Sequence, residues 1–308
     1  MPFHWNPSRR RFAGTLAATA ASSMLPSSAS SAVDANETWA LLSDTHIAGN
    51  PDEVVRGVNM RAHLEKVVMA LLSESEGLAG VIIDGDCALD AGFREDYKVL
   101  ARTLAPLAEA RIPVHLTLGN HDDRGPFSEV FSDPPAAVDA VDNKHLSLIE
   151  TPRLNWILLD SLRIVDEVAG EFGADQIAWL DGILSKHSGK PAVLVGHHYP
   201  QAVREMSIAG DAVSVGGLED SEAFLAVARR HPHVQGYIYG HSHDWEVTTD
   251  ESGLHHVNLP PTAYVFDESR PSGWVRATVS REHGLTLELV SLDPGHEQHG
   301  ERFELAWR

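Results

Sequence analysis

The sequence predicts an α/β fold: a parallel sheet covered by helices and continued at its C-terminal end by antiparallel strands. Three observations carry that expectation. Short, near-continuous apolar runs alternate with longer segments whose apolar residues recur at helical spacing, and three strand–helix steps in succession argue for parallel pairing. Five of the runs stop in polar, ligand-type side chains: Ser43-Asp44-Thr45-His46, Asp84-Gly85-Asp86, Gly119-Asn120-His121-Asp122, Gly196-His197-His198 and Gly240-His241-Ser242-His243. From about residue 254 the pattern changes to alternating runs joined by tight turns.

In chain order, residues 38 to 44 form the first strand. Residues 52 to 76 read as a helix, because Val55, Val58, Leu64, Val67, Val68, Leu71 and Leu72 share one face. A strand at 79 to 84 follows, then a helix at 94 to 110 cut near its end by Pro106, then the strand that leads to Asn120. Residues 123 to 143, with Pro126, Pro134 and Pro135, read as a loop-rich excursion beside the strand ends. Residues 145 to 150 and 154 to 160 form an antiparallel pair turning at Pro152. A helix at 174 to 187, a strand at 192 to 196, a helix at 220 to 230 and a strand at 234 to 239 resume the alternation. Residues 254 to 259, 274 to 281 and 285 to 292 read as antiparallel strands, the last two joined through Glu282-His283-Gly284.

Residues 1 to 35 stand apart from this pattern. Ser8-Arg9-Arg10-Arg11-Phe12 precedes a weakly apolar Ala/Thr/Leu stretch ending near Pro26, and small residues from Ser27 to Ala32 suit a signal peptidase. Basic, apolar and small segments in that order resemble a twin-arginine export signal and imply a periplasmic or secreted product; a basic tail outside the fold is the alternative. Residues 36 to 308 are then expected to form a single domain.

Composition narrows the classes of partner. Of the 308 residues 43% are hydrophobic and 22% charged, ordinary for a globular protein, and no apolar run approaches the roughly 20 residues that span a bilayer. No stable membrane insertion is expected after signal removal. The formal net charge is −20; three of the basic residues fall in the acid-free first 32 positions, which leaves −23 on the rest. That field opposes nucleic acid and anionic membranes, so an anionic substrate must rely on local positive charge, as metal ions would provide. The one cysteine, Cys87, excludes an intramolecular disulfide and a thiolate zinc site, and should face away from Asp86 as a small buried hydrophobe. Nothing in the sequence fixes the oligomeric state.

Imidazole and carboxylate without thiolate suit iron, manganese, zinc or cobalt, and the neutral Asn carbonyl adds a donor without adding charge. Donors taken from separate strand ends are held by a rigid sheet. Read together, Asp44-x-His46, Gly85-Asp86, Gly119-Asn120-His121-Asp122, Gly196-His197 and Gly240-His241-x-His243 resemble the calcineurin-like metallophosphoesterases, over residues 40 to about 245. The resemblance implies a metallophosphoesterase-type β-sandwich of mixed sheets flanked by helices, with the active site at the strand C-terminal ends. It implies two ions, one on Asp44, His46 and His243, the other on Asn120, His197 and His241, with Asp86 bridging. A hydroxide shared by the ions would attack phosphorus, and His121 would serve the leaving group as general acid. The resemblance also implies His197 rather than His198 as the ligand, because the family's ligand is the first His of such a His-His segment. His198 and Arg124, the nearest basic residue after Asp122, are left as candidates for substrate contact, and each has a purely structural reading.

Departures from relatives select among subfamilies. Leu89 stands where purple acid phosphatases carry a metal-binding Tyr, and Gly85-Asp86-Cys87-Ala88-Leu89-Asp90-Ala91-Gly92 lacks the phosphate-binding Arg of protein Ser/Thr phosphatases. Gly92 with Asp96-Tyr97, and Gly119 to Asp123, most resemble bacterial cyclic-nucleotide and glycerophosphodiester phosphodiesterases. The implied activity is hydrolysis of small phosphodiesters. A phosphomonoesterase of the same fold is the first alternative, and a metal-binding scaffold without catalysis the second, opposed by the complete set of ligand positions. Tyr97 and Trp245 read as packing residues, while His255 and His256 keep a secondary claim to a role in the site.

Overall fold

A strand that is apolar at every position must be buried on both faces, and this is how the two large sheets are used. The computed structural model describes residues 36–74, 77–131, 141–208, 211–280 and 284–308. The expected signal segment, Pro134 and Pro135, and Glu282-His283 lie outside the described residues. In the first sheet β1 (Glu37–Ser43), β2 (Leu78–Asp84) and β3 (Val114–Leu116) run parallel. On the other side of β1 the sheet continues antiparallel through β12 (Gly273–Ser280), β13 (Gly284–Ser291) and β14 (Arg302–Leu305). The second sheet holds β5 (Asn155–Leu158), β6 (Ala192–Val195), β9 (Val234–Tyr239) and β11 (His255–Asn258) in parallel. Antiparallel edges close it, β4 (Ser147–Glu150) on one side and β10 (Glu246–Thr249) on the other.

Alternate residues of each central strand enter different cores, as a period of two requires. Trp39 and Leu41 of β1 and Ile82 of β2 meet Trp156, Val193 and Ile238 between the sheets. Their neighbours Ala40, Leu42, Val81 and Ile83 pack outward on α1 (Met60–Ser73) and α2 (Arg94–Glu109) through Leu64, Val68, Leu100 and Leu104. Ile157, Leu194 and Tyr237 do the same on α4 (Ala174–Lys186) and α5 (Ser221–Arg230), against Leu180, Leu184 and Phe224. The layers are therefore helix, sheet, sheet, helix, the expected sandwich of mixed sheets. Among the described residues no helix is long and apolar enough to cross a membrane.

Several boundaries differ from the expectation for local reasons. The first helix starts at Met60 rather than near residue 52, because Arg56 and Gly57 turn the chain at positive φ and the Asn59 side chain caps the helix by accepting from Ala62 N at 2.7 Å. Pro106 lies inside α2 without ending it. The 123 to 143 excursion contains a short helix, α3 (Arg124–Val130), capped by Asp123. Strand β11 is antiparallel only to β10; towards β9 it is parallel. A hairpin absent from the sequence reading, β7 (Val203–Ile208) with β8 (Asp211–Gly216), belongs to neither large sheet.

Candidate metal centre

The donors gather because the chain reverses sharply as it leaves the strands. Asp44, His46, Asp86, His241 and His243 all adopt left-handed backbone, with φ of 50°, 45°, 43°, 68° and 51°. Such conformations cost an L-residue on the order of 1 kcal/mol or more, and they persist only where the surroundings over-determine them. Here the strand-end loops are laced together: His46 N donates to Asp86 O, Ile47 N to Cys87 O, Gly240 N to His197 O, and His241 N to Asp44 Oδ2. Two glycines permit the approach, since a Cβ on Gly119 would strike Asp86 and one on Gly240 would strike Ser43 and Asp44.

The donor atoms fall into groups that fit metal ions. Asp44, His46 and His243 form one cluster, and Asp86, His197 and His241 another, the atoms of each lying within 4.8 Å of one another. Asp86 stands between them, its Oδ2 being 3.1 Å from His197 Nε2 and 3.7 Å from His46 Nε2. His46 Nε2 and His243 Nε2 are 3.0 Å apart, and His243 Nε2 is 3.3 Å from Asp44 Oδ1. Three buried atoms, Asp44 Oδ1, Asn120 Oδ1 and His197 Nε2, have no hydrogen-bond partner. An orphaned buried acceptor costs about 1–3 kcal/mol, and ligation is the natural relief.

Outer hydrogen bonds fix which imidazole nitrogen is free. A carbonyl can only accept, so the ring nitrogen facing it carries the hydrogen and the other keeps its lone pair. His197 Nδ1 donates to Asp84 O at 2.9 Å and His243 Nδ1 to Tyr264 O at 2.6 Å, while His46 Nδ1 lies 3.4 Å from Leu89 O; all three leave Nε2 for the centre. His241 is inverted. Its Nε2 donates to Gly216 O at 2.8 Å, which leaves Nδ1.

Charge in the cluster is shared with protons. Burial alone would depress the His197 imidazole, yet the Asp86 and Asp44 carboxylates beside it raise it well above the ordinary histidine range. Burial holds His46 down to about 3 and His241 to about 4, leaving both neutral and able to ligate. Asp84, which the sequence reading passed over, is fully buried and pushed up to about 7 by desolvation. Its backbone carbonyl takes the His197 proton donor, and its Oδ1 accepts from Thr117 Oγ1 at 3.0 Å.

Asp122 holds the loops that carry Asp86 and Asn120. Its carboxylate accepts from Cys87 N, Ala88 N and Gly119 N at 2.9 to 3.1 Å and from the Tyr97 hydroxyl at 3.0 Å. That gives Tyr97 a positioning role beyond packing, and Cys87 is buried as expected. His121 reaches into the site from the same loop. Its backbone N donates to Asp86 Oδ1 at 3.0 Å, its Nδ1 to Asp90 O at 2.6 Å, and its side chain is 29% exposed. Burial would lower its pKa, but the Asp86 carboxylate and the Asp90 carbonyl raise it above the ordinary value. His121 also groups with His46 and Asp86 as a potential ligand, although its Nδ1 is already committed to Asp90.

The structure gives two of the expected substrate contacts different work. Arg124 spends its guanidinium on the buried Asp160, with Nε and Nη2 each 2.7 Å from a carboxylate oxygen. His198 is fully buried and uses both nitrogens, Nδ1 towards Ser161 Oγ at 2.7 Å and Nε2 towards Val168 O at 3.1 Å. Neither lines the cavity of about 340 Å³ above the centre. His255 and His256 lie on β11, bonded to Ala306 O and Asp250, and Trp245 donates to Glu301. The cavity floor is His46, Asp86, Asn120, His121, His241 and His243. Its walls come from segments that the sequence reading left without a role: the β7–β8 hairpin, and a loop carrying Tyr264 and Phe266.

Comparison with known proteins agrees with this geometry. The family described as calcineurin-like phosphoesterase matches residues 38–245. A glycerophosphodiester phosphodiesterase of Enterobacter lignolyticus is 26% identical, over 75% of this chain and 80% of its own. A 3′,5′-cyclic adenosine monophosphate phosphodiesterase of Pseudomonas aeruginosa is 27% identical over 76% and 79%. Among solved structures, a dimetal phosphatase of Danio rerio shares the fold with a TM-score of 0.65 and 18% identity, covering 88% of this chain and 99% of that one.

Proposed function

The chain belongs to the calcineurin-like phosphoesterase family of hydrolases, and from that premise we propose that it is an exported phosphodiesterase working with two metal ions. The observation that carries the reading is the buried donor set, in which Asp44 Oδ1, Asn120 Oδ1 and His197 Nε2 make no hydrogen bond. Asp44, His46 and His243 would hold one ion and Asn120, His197 and His241 the other, with Asp86 shared; nitrogen and oxygen donors of this kind suit iron, manganese, zinc or cobalt. When bound, the ions supply Lewis acidity and a nucleophile ionised near neutral pH. The chain's own part is to hold the phosphoryl group over Asp86 and to deliver a proton from His121 to the departing oxygen. Both relatives above are named as phosphodiesterases.

A diester is favoured over a monoester by charge. Among the described residues no Lys or Arg lines the cavity, and a monoester brings two negative charges near neutral pH where a diester brings one. With Mn²⁺ or Zn²⁺ supplied, kcat/KM on bis-p-nitrophenyl phosphate is expected to exceed that on p-nitrophenyl phosphate by about tenfold or more. The reverse order would make the protein a phosphomonoesterase. Fewer than one ion per chain together with no hydrolysis would make it a scaffold. Export rests on Arg9-Arg10 and the segment that follows. Replacing both arginines by Lys is expected to retain the protein in the cytoplasm while leaving its specific activity unchanged; equal periplasmic yield would remove the twin-arginine assignment.

A further inference from the structure

We infer that the β7–β8 hairpin and the Tyr264–Phe266 pair form a slot for a planar, uncharged ester group, so that the protein selects aryl or similarly flat phosphodiesters over polyol ones. The inference rests on the phosphodiesterase reading and specifies its substrate class. One wall of the cavity is aromatic and held rigid against the candidate ligands. Tyr264 stacks on His46 with centroids 5.2 Å apart at 23°, and Phe266 stacks on His243 at 4.2 Å and 21°. The Arg56 guanidinium lies 5.2 Å from the Phe266 centroid and so braces that ring from the neighbouring loop. The rest of the lining is mostly aliphatic: Met206 from β7, Val213 and Val215 from β8, and Val168, with Ser214 and Gly216 among them.

That apolar surface is open to solvent, with Val213 38% and Val168 49% exposed. Apart from Asp86 on the floor, no lining residue among those described carries a carboxylate, ammonium or guanidinium group. Polar groups on the walls are few, so the hydroxyls of a polyol entering the slot would lose water without finding enough partners. A flat uncharged ring brings few polar groups to lose water and meets mostly apolar side chains. The volume, about 340 Å³, lies near the lower end of small-molecule sites, sufficient for a phosphate with one ring system and short for a long acyl chain. The two walls are also registered to the floor. His243 donates to the Tyr264 carbonyl and His241 to the Gly216 carbonyl, so candidate ligands on both sides set the distance between the walls.

Phenyl p-nitrophenyl phosphate and methyl p-nitrophenyl phosphate share leaving group and charge and differ only in the group assigned to the slot. The metal-loaded protein is expected to favour the phenyl ester by about tenfold or more in kcat/KM, mostly through KM. The double variant Met206→Ser, Val213→Ser should bring the ratio towards one at unchanged metal content. Equal kcat/KM for the two esters in the wild type, or a variant that lowers both by the same factor, would overturn the slot. Calorimetry with phenylphosphonate and methylphosphonate reads the same preference without turnover: tighter binding of the phenyl compound supports the slot and equal affinities exclude it. Absence of hydrolysis with that binding preference intact would instead count against the phosphodiesterase reading.

Discussion

Asp86→Ala is expected to lower kcat/KM by about 10³-fold and to release both ions, whereas Asn120→Ala at saturating metal should cost substantially less. The Asp86 carboxylate lies between the two donor clusters, within 3.1 Å of His197 Nε2 and 3.7 Å of His46 Nε2. Its other oxygen accepts from the His121 backbone at 3.0 Å, so its loss also frees the loop that carries the proposed acid. Asn120 Oδ1 is buried without a hydrogen bond; as assigned, it would serve one ion alone, and its removal would leave the other donor set complete. Metal content by elemental analysis, paired with kcat/KM on a phosphodiester across a metal titration, separates the two variants. A larger loss for Asn120→Ala would mean that the sharing role has been given to the wrong residue.

His121→Ala should divide substrates by their leaving groups. An alkoxide leaves poorly without a proton, whereas p-nitrophenolate departs nearly unaided, so kcat is expected to fall by about 10² to 10⁴ on a glycerol-type diester and much less on a p-nitrophenyl ester. The ring is placed for this work: its Nδ1 is tied to Asp90 O, its side chain lines the cavity, and the carboxylate of Asp86 and the carbonyl of Asp90 favour its protonated form despite burial. Metal content should not change, because His121 is assigned no ion and its Nδ1 is committed to Asp90 O. Equal losses on both esters would assign His121 to positioning, and loss of an ion would make it a ligand.

Much of the candidate site was legible because its donor residues lie where the strands end. A buried strand needs apolar side chains throughout, so Asp44, Asp86, Asn120, His197 and His241 stood out as places where that rule stops. Other features depended on contacts that sequence distance hides. Arg124 looked free until Asp160, 36 residues on, took its guanidinium. The pairing of β11 with β9 required knowing that β10 forms the sheet edge. The hairpin escaped notice because its strands are short and partly exposed, and Tyr264 and Phe266 because single aromatics in a loop carry no periodic signal. Asp122 was visible as part of a motif, but its work as a fourfold acceptor between two loops appears only in three dimensions.

The left-handed backbone at Asp44, His46, Asp86, His241 and His243 bears on how this molecule would respond to breeding for heat resistance. Each of these residues occupies a conformation that glycine or asparagine accepts more readily, and together they crowd carboxylates and imidazoles into a buried site. Exchanging them relaxes the empty scaffold and discards its affinity for cations. A screen that ranks variants by melting temperature in chelator would therefore promote inactive molecules, while the same screen in excess metal would reject them, because ions bound only to the native form repay the strain through mass action. Durable improvements should instead accumulate in places such as the outer faces of α1 and α4, far from the centre.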